Sequence, residues 1–511
     1  MTDQVRTDTG GVHAPRAGLR GWLALVVLML PVLLVSVDNT VLSFALPEIA
    51  VALAPTGAQQ LWMIDVYPLV LAGLLVSMGT MGDRFGRKRM LLIGSIGFAA
   101  VSALAAFAPT AALLIAARAL LGFFGAMLMP STLALLRSTF LNRDQRRLAI
   151  AIWATAFSAG SALGPIVGGF LLEHFAWGSV FLLAVPVLVP LLVCAPFLVT
   201  ESRDPNPGRI DPLSIVLSMA TMVPVVYAIK EVATEGIGAV SAVLIVVGVL
   251  MGCLFVRRQT RSASPMLDMA LFRRGSFSGA ILVNLFSVVA LVGFMYFVPQ
   301  HLQLVLGMAP MAAGFALLPA MVAIIISGLV VVPIARRVPP HVIIPAALVF
   351  TVVGYLLVSV AAPEQHLAPL IAASVLVGLG IGAAETISNE LILSSAPSAK
   401  AGAASAVSET AYELGAVLGT AVLGGVITAI YRAVLVVPDG IASQTADAAR
   451  ETLAGAYSAV QDLTEPGASA LWAAATEAFE SGVAVTSLIG AGLVVLAAVI
   501  GAVTLRNPRT R

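Results

Sequence analysis

Long apolar runs broken by short polar turns recur along the whole chain. A helix that crosses a bilayer needs about 20 mainly apolar residues. Fourteen stretches meet that length: 21–46, 60–81, 89–107, 111–136, 147–172, 177–199, 212–232, 237–256, 277–304, 312–335, 342–361, 368–393, 402–431 and 482–505. None alternates polar and apolar positions as a barrel strand would. A backbone in lipid must also satisfy its hydrogen bonds within its own segment. The pattern therefore predicts an all-α integral membrane protein with fourteen membrane helices. The first run exceeds the roughly 7–15-residue core of a secretory signal, and no small-residue cleavage site follows it, so it is expected to stay as a helix. Residues 1–20 are polar and are expected to form a disordered tail.

The polar breaks group the runs as six, two and six. A Pro-rich break follows residue 199 and a basic one covers 257–276. The expected organisation is a six-helix bundle over 21–199, a linker with two extra helices over 200–276, a six-helix bundle over 277–505 and a tail over 506–511. The longest segment outside the runs is 432–481, with acids at Asp439, Asp447, Glu451, Asp462, Glu465, Glu477 and Glu480. Its Ala-rich stretches, 444–461 and 467–480, are expected to form a helical hairpin around Pro466. It reads either as a solvated loop or as an acidic cap that focuses cations.

Composition makes lipid the solvent. Of 511 residues 59% are hydrophobic and 11% charged, with mean hydropathy +1.01; a soluble domain averages about 45–50% apolar and about 25% charged. The net charge of +2 matters less than its placement. All but four of the 28 basic residues fall on one side of the fourteen-run topology, the exceptions being Arg118, Lys230, Arg432 and Arg450. Such a bias puts both termini in the cytoplasm. Cys194 and Cys253 lie in apolar runs, so no disulfide framework is expected. The three lysines, Lys88, Lys230 and Lys400, fit no phosphate-binding loop, which excludes an ATP-driven pump. No nucleophile–base pair points to an enzyme, and His174, His301, His341 and His366 do not cluster as metal ligands. No nucleic-acid partner is expected.

The most specific motif lies between the second and third runs: Gly79-Thr80-Met81-Gly82-Asp83-Arg84-Phe85-Gly86-Arg87-Lys88-Arg89. Its glycines allow a tight turn, and Asp83 is placed to cap a helix or to pair with an arginine. The fourth run carries Arg118-Ala119-Leu120-Leu121-Gly122-Phe123-Phe124-Gly125-Ala126, and the fifth Gly160-Ser161-Ala162-Leu163-Gly164-Pro165-Ile166-Val167-Gly168-Gly169. Glycines at 160, 164 and 168 line one helix face and permit close packing, while Pro165 can bend the helix and serve as a pivot.

These motifs resemble, in order, the loop signature and the antiporter motif of the major facilitator superfamily. The fourteen runs narrow the resemblance to its drug:proton antiporters, as do Asp38-Asn39-Thr40-Val41-Leu42, the Trp62-Met63-Ile64-Asp65-Val66-Tyr67 segment and Ser408-Glu409-Thr410-Ala411-Tyr412-Glu413. The resemblance implies the major facilitator fold, with two six-helix bundles rocking about a central cavity and an extra central helix pair. It implies a plasma-membrane, monomeric, cofactor-free secondary transporter driven by the proton gradient. Its cargo would be lipophilic, mainly cationic compounds such as quaternary ammonium compounds, dyes and fluoroquinolone-like drugs. An exporter of an endogenous lipid, siderophore or metabolite is the alternative. Gly79, Asp83, Arg84, Gly86, Arg87, Gly160, Gly164, Pro165 and Gly168 would then be conformational elements.

Charges inside apolar runs are the candidates for chemistry. An ionised side chain at the bilayer centre costs about 2.5–3.5 kcal/mol on insertion scales. Asp38 and Asp65 lie in the first two runs, Glu385 in the twelfth, and Glu409 and Glu413 one helical turn apart in the thirteenth. Arg118 either neutralises an acid or binds backbone carbonyls. Asp38, Asp65 and Arg118 are candidates for proton coupling. Asp38, Asp65, Glu385, Glu409 and Glu413 are candidates for binding a cation, because a carboxylate away from water needs a proton or a cation. Trp62, Tyr67, Phe157, Tyr412, Met127 and Met129 are candidate lining groups through cation–π and sulfur contacts, with plain packing as the alternative. The inserted helix pair acquires no role from the sequence.

Overall fold

The computed structural model describes residues 16–204, 211–262, 265, 267, 269–361, 366–395 and 401–506. The expected tail up to residue 15, linker residues 205–210 and the tail from 507 onward lie outside them. In chain order the helices are α1 (Leu19–Leu53), α2 (Gly57–Phe85), α3 (Arg87–Ala105), α4 (Ala111–Thr139), α5 (Arg143–His174), α6 (Ser179–Leu182) and α7 (Ala184–Leu198). The inserted pair is α8 (Pro212–Glu235) and α9 (Ala239–Arg261), followed by the short α10 (Met269–Phe272). The rest are α11 (Gly275–Gln300), α12 (Pro310–Ala335), α13 (Pro340–Ala361), α14 (Leu367–Ser395), α15 (Ala401–Leu418), α16 (Gly425–Val434), α17 (Ser443–Glu451), α18 (Leu453–Gln461) and α19 (Gly467–Thr504). Five-residue and six-residue π-helical stretches, His301–Val305 and Gly419–Gly424, continue α11 and join α15 to α16.

Thirteen helical spans among the described residues are long and apolar enough to cross a membrane. They coincide with thirteen of the predicted runs; the remaining run, 147–172, lies within α5. Large apolar side chains stand outward, as lipid allows and water does not: on α9, Val240, Val243, Val246 and Leu250 form an exposed stripe. Most of the buried apolar side chains form one core that runs through both halves, and a small separate cluster lies against the inserted pair.

The start of α1, the α2–α3 turn and the end of α7 lie together at one end of the bundle, where the Arg20 side chain donates to the Phe197 carbonyl and the Lys88 N–H to Glu201; we call this the arginine end. The turn between α2 and α3 is fixed there. Gly86 has φ +113°, and a Cβ on it would lie 2.8 Å from the Glu201 carboxyl group. That carboxylate accepts from the backbone N–H groups of Lys88 and Arg89 at 3.0 and 3.2 Å, capping α3. Asp83 pairs with Arg87 at 2.8 Å, and Arg87 also donates to Ser202 at 3.0 Å. The signature turn is thus stitched to the chain that leaves α7, an attachment with no cue in the motif itself.

The two halves meet at the opposite end. Gln303 donates to the Phe44 carbonyl at 3.1 Å, and the Gly57 N–H donates to Glu451 at 3.1 Å. α5 also packs on α12, where a Cβ at Gly314 would sit 2.5 Å from the Pro165 carbonyl oxygen. The 432–481 segment differs from the expected hairpin. Its first arm breaks at Thr452 into α17 and α18. Its second arm is not separate, because Gly467–Thr504 is one 38-residue helix that includes the last span. The segment is docked rather than loose: the Tyr431 hydroxyl donates to the Ala449 carbonyl at 2.7 Å, and Leu453, Ala454, Ala456 and Ala459 are buried.

The inserted pair begins with a well-made cap. Asp211 accepts from the Ser214 N–H at 3.2 Å and takes a two-pronged contact from Arg258 of α9, at 2.8 and 2.9 Å. The Arg258 guanidinium holds the Asp211 carboxyl down at about 2, against an ordinary 3.8. A depressed folded value stabilises above the ordinary value and stops doing so as pH falls through the folded one. Hydrogen-exchange protection of the first α8 turn is therefore expected to be level from neutral pH to about 4–5, and to fall progressively from there to about pH 2. Asp211→Ala removes a cap worth about 1 kcal/mol, so exchange there should quicken roughly fivefold at neutral pH. Unchanged exchange would mean that the cap carries no local stability.

Candidate functional site at the interface of the two halves

Asp38, Arg118 and Tyr67 form one buried unit in the N-terminal half. Asp38 is 6% exposed and Arg118 2%. The Arg118 guanidinium donates to Asp38 Oδ2 at 2.6 Å and to the Met63 carbonyl at 3.2 Å, so it does both things the sequence offered as alternatives. Its Cζ also lies 4.5 Å from the centre of the Tyr67 ring. The local sequence makes this possible. Cβ atoms at Gly122 and Gly125 would lie 2.6 Å from the Tyr67 carbonyl oxygen and 3.2 Å from its hydroxyl, so only small residues let α4 come this near α2. Tyr67 is fully buried, with its ring edge-on to Phe98. Met127 and Met129 are likewise buried, in α4.

The antiporter-motif glycines seat α5 on the same stretch of α1 that carries Asp38. Cβ atoms at Gly160, Gly164 and Gly168 would come within 1.9 Å of Ser36 Oγ, 1.8 Å of Thr40 Oγ1 and 2.7 Å of Val41 Cγ2. The residue after Gly164 is Pro165, whose carbonyl touches Gly314 of the other half. One helix thus contacts both the Asp38 segment and the opposing bundle.

Across the interface, α14 and α15 present Glu385, Glu409 and Glu413. All three lie close enough to act electrostatically on Tyr412, and Glu413 also acts on Tyr67. Glu413 is 3% exposed, while Glu385, Glu409 and Tyr412 are half-buried. The Tyr412 ring meets Phe157 of α5 edge-on at 6.1 Å, a contact between the halves. None of the three glutamates has a basic partner among the described residues; Glu385 Oε1 and Glu413 Oε2 are buried without a hydrogen bond. The two halves therefore differ in kind. The N-terminal acids are paired and the C-terminal acids are uncompensated.

Asp65 and Trp62 stand apart from this centre. Asp65 is fully buried and lies 2.9 Å from Lys230 Nζ of the inserted α8. That ammonium sits 3.7 Å from the centre of the Trp62 ring. The structure thus places Trp62 against a lysine of the chain itself. Lys230, 1% exposed, is a buried charge to which the sequence alone assigned no role. The available signal was a lone lysine in an apolar run, at a depth like that of an acid with no other partner.

This arrangement of bundles, motifs and buried charges defines a multi-pass membrane transporter, not an enzyme. The chain belongs to the Major Facilitator Superfamily, whose model matches residues 28–420. It is 55% identical to the multidrug efflux pump LfrA of Mycolicibacterium smegmatis, over 98% of this chain and 99% of that protein. It is 36% identical to the methyl viologen resistance protein SmvA of Salmonella typhimurium, over 90% and 93% of the two chains. It is 32% identical to a tetracenomycin C resistance and export protein of Streptomyces glaucescens, over 83% and 80%. Its fold matches the inward-facing structure of a bacterial homologue of the human lysosomal transporter Spinster, with TM-score 0.65, 18% identity and coverage of 96% and 100%.

Proposed function

We propose that this chain is a proton-coupled multidrug exporter of lipophilic, mainly cationic compounds, working as a monomer in the plasma membrane with both termini in the cytoplasm. The observation that carries the reading is the uncompensated acid group Glu385, Glu409 and Glu413, held at the interface opposite the paired Asp38 and Arg118. A buried carboxylate without a partner is costly, and a proton or an organic cation can each relieve it. Tyr412 and Phe157 offer flat aromatic surface beside those acids. The relatives support efflux: one is named for multidrug export, and another for resistance to methyl viologen, a flat dication.

The mechanism follows from the pairing. With Asp38 ionised, Arg118 is held on α1 and α2 through Asp38 and the Met63 carbonyl. A proton on Asp38 dissolves that charge pair, and the α1–α5 seam, tight at Gly160 and Gly164, passes the change to α12 through Pro165. The halves then rock about the interface. Cargo held by the glutamates leaves on one side as the proton is delivered to the other. Asp65 with Lys230 is a second, lateral ion pair outside the cargo group.

Inverted vesicles test this. A pH gradient, acid inside, should accumulate ethidium in the vesicles, and an uncoupler should release it. Accumulation that ignores the gradient would remove proton coupling. No movement of ethidium, methyl viologen or a quaternary ammonium dye, with movement of a lipid or siderophore instead, would replace the cargo class.

A further inference from the structure

We propose that Lys230 is a positioning residue for transport: through Asp65 it ties the inserted helix pair to the N-terminal half, so that the pair travels with that half and slides on the other. This rests on the export reading above and gives the pair a part in it.

The grip on the N-terminal half is built from two residues on each side. Trp62 and Asp65 are three apart on α2, and Tyr227 and Lys230 are three apart on α8, so each couple shares a helix face. The Lys230 ammonium contacts both Asp65 and the Trp62 ring, and the Tyr227 ring lies 6.1 Å from the Trp62 ring. Two to three turns deeper, a Cβ at Gly73 would lie 2.0 Å from the Met219 sulfur, so α8 is also notched into α2. The surface α8 offers the C-terminal half is of another kind. Val226, with Met222, Val223 and Ile229, packs against Val417 and Ala421 in a small apolar cluster that also takes in Leu69 of α2. α8 further touches α16 and the Gly419–Gly424 stretch. A directional charged contact fixes one position, whereas an apolar face tolerates displacement along it.

The chemistry argues against a merely adhesive pair. A buried ion pair is commonly no more stabilising than apolar residues of similar volume, while removing one partner strands a charge. Two helices with lipid-facing surfaces could be held by apolar packing alone. The ion pair adds a fixed register between α8 and α2. The charged or titratable groups facing Asp65 are Lys230 from α8 and Tyr296 from α11 of the other half. The tether therefore sits where inserted pair, N-terminal half and C-terminal half all meet.

The test is Asp65→Leu with Lys230→Met, which removes both charges together, beside Lys230→Arg, which keeps the cation. In inverted vesicles taking up ethidium under an acid-inside gradient, the double variant should insert and purify like the parent and keep its KM within about twofold, while its maximal rate falls roughly tenfold. Lys230→Arg should retain most of the rate. A double variant with the parent's maximal rate overturns the tether, and so does a loss of KM and rate alike. If the parent itself moves no dye, the export reading fails on its own account, and the tether is then read without cargo. In a background with Cys194→Ser and Cys253→Ser, the Val226→Cys and Val417→Cys pair is cross-linked with a short bis-methanethiosulfonate, each thiol displacing one sulfinate. The yield should respond to an imposed pH gradient with the ion pair present and lose that response in the double charge variant. Equal responses overturn the tether.

Discussion

Asp38→Asn is expected to abolish gradient-driven export while leaving passive dye exchange in place. Asparagine keeps the shape of the side chain and can still accept from Arg118, but it cannot release or take up a proton. Asp38 has Arg118 as its ion-pair partner, and it sits on the α1 stretch clamped by Gly160 and Gly164. Uphill accumulation should fall at least roughly a hundredfold, the scale at which a proton-transfer group is lost. Breaking a buried pair by removing one partner costs about 3–5 kcal/mol when the remaining charge is stranded. Asp38→Ala should therefore also lower the amount of folded protein, and more than Asp38→Asn, whose amide oxygen still accepts from Arg118. Normal uphill transport by Asp38→Asn would remove this residue from coupling.

Neutralising the acid group of the other half should act on cargo rather than on drive. Glu409→Gln and Glu413→Gln each leave Asp38 and Arg118 untouched. A dication gains from two carboxylates held one turn apart, and a monocation from one. KM for a divalent dye is expected to rise roughly tenfold or more on losing either acid, and that for a monovalent dye by only about threefold. Removing both should leave neutral lipophilic compounds the best remaining cargo. Equal losses for both dyes would place these glutamates in coupling instead.

Much of this molecule is written in its apolar pattern, because lipid leaves a backbone few choices. The runs 21–46 and 60–81, for example, fall within α1 and α2. The glycine spacing at 160, 164 and 168 signalled a packed face, though only the fold shows that the face meets Ser36, Thr40 and Val41. Arg118 was visible as a buried base, but which acid it meets depends on how α1 and α4 lie together. Lys230 was harder, since its partner is 165 positions away and the helices between carry no register information. The continuity of Gly467–Thr504 was hidden by its composition: Ala-rich sequence suits a short exposed helix and the start of a long one equally well.

That continuity has a mechanical meaning. A helix of 38 residues is about 57 Å long at 1.5 Å per residue, against a hydrocarbon layer of about 30 Å. α19 is therefore a mast, anchored among the C-terminal helices and standing well clear of the lipid, with α18 lashed to its upper part. Any lean of its foot is displayed by its head. A binding protein raised against that head and the neighbouring end of α1 would hold a handle on the working cycle without ever entering the bilayer.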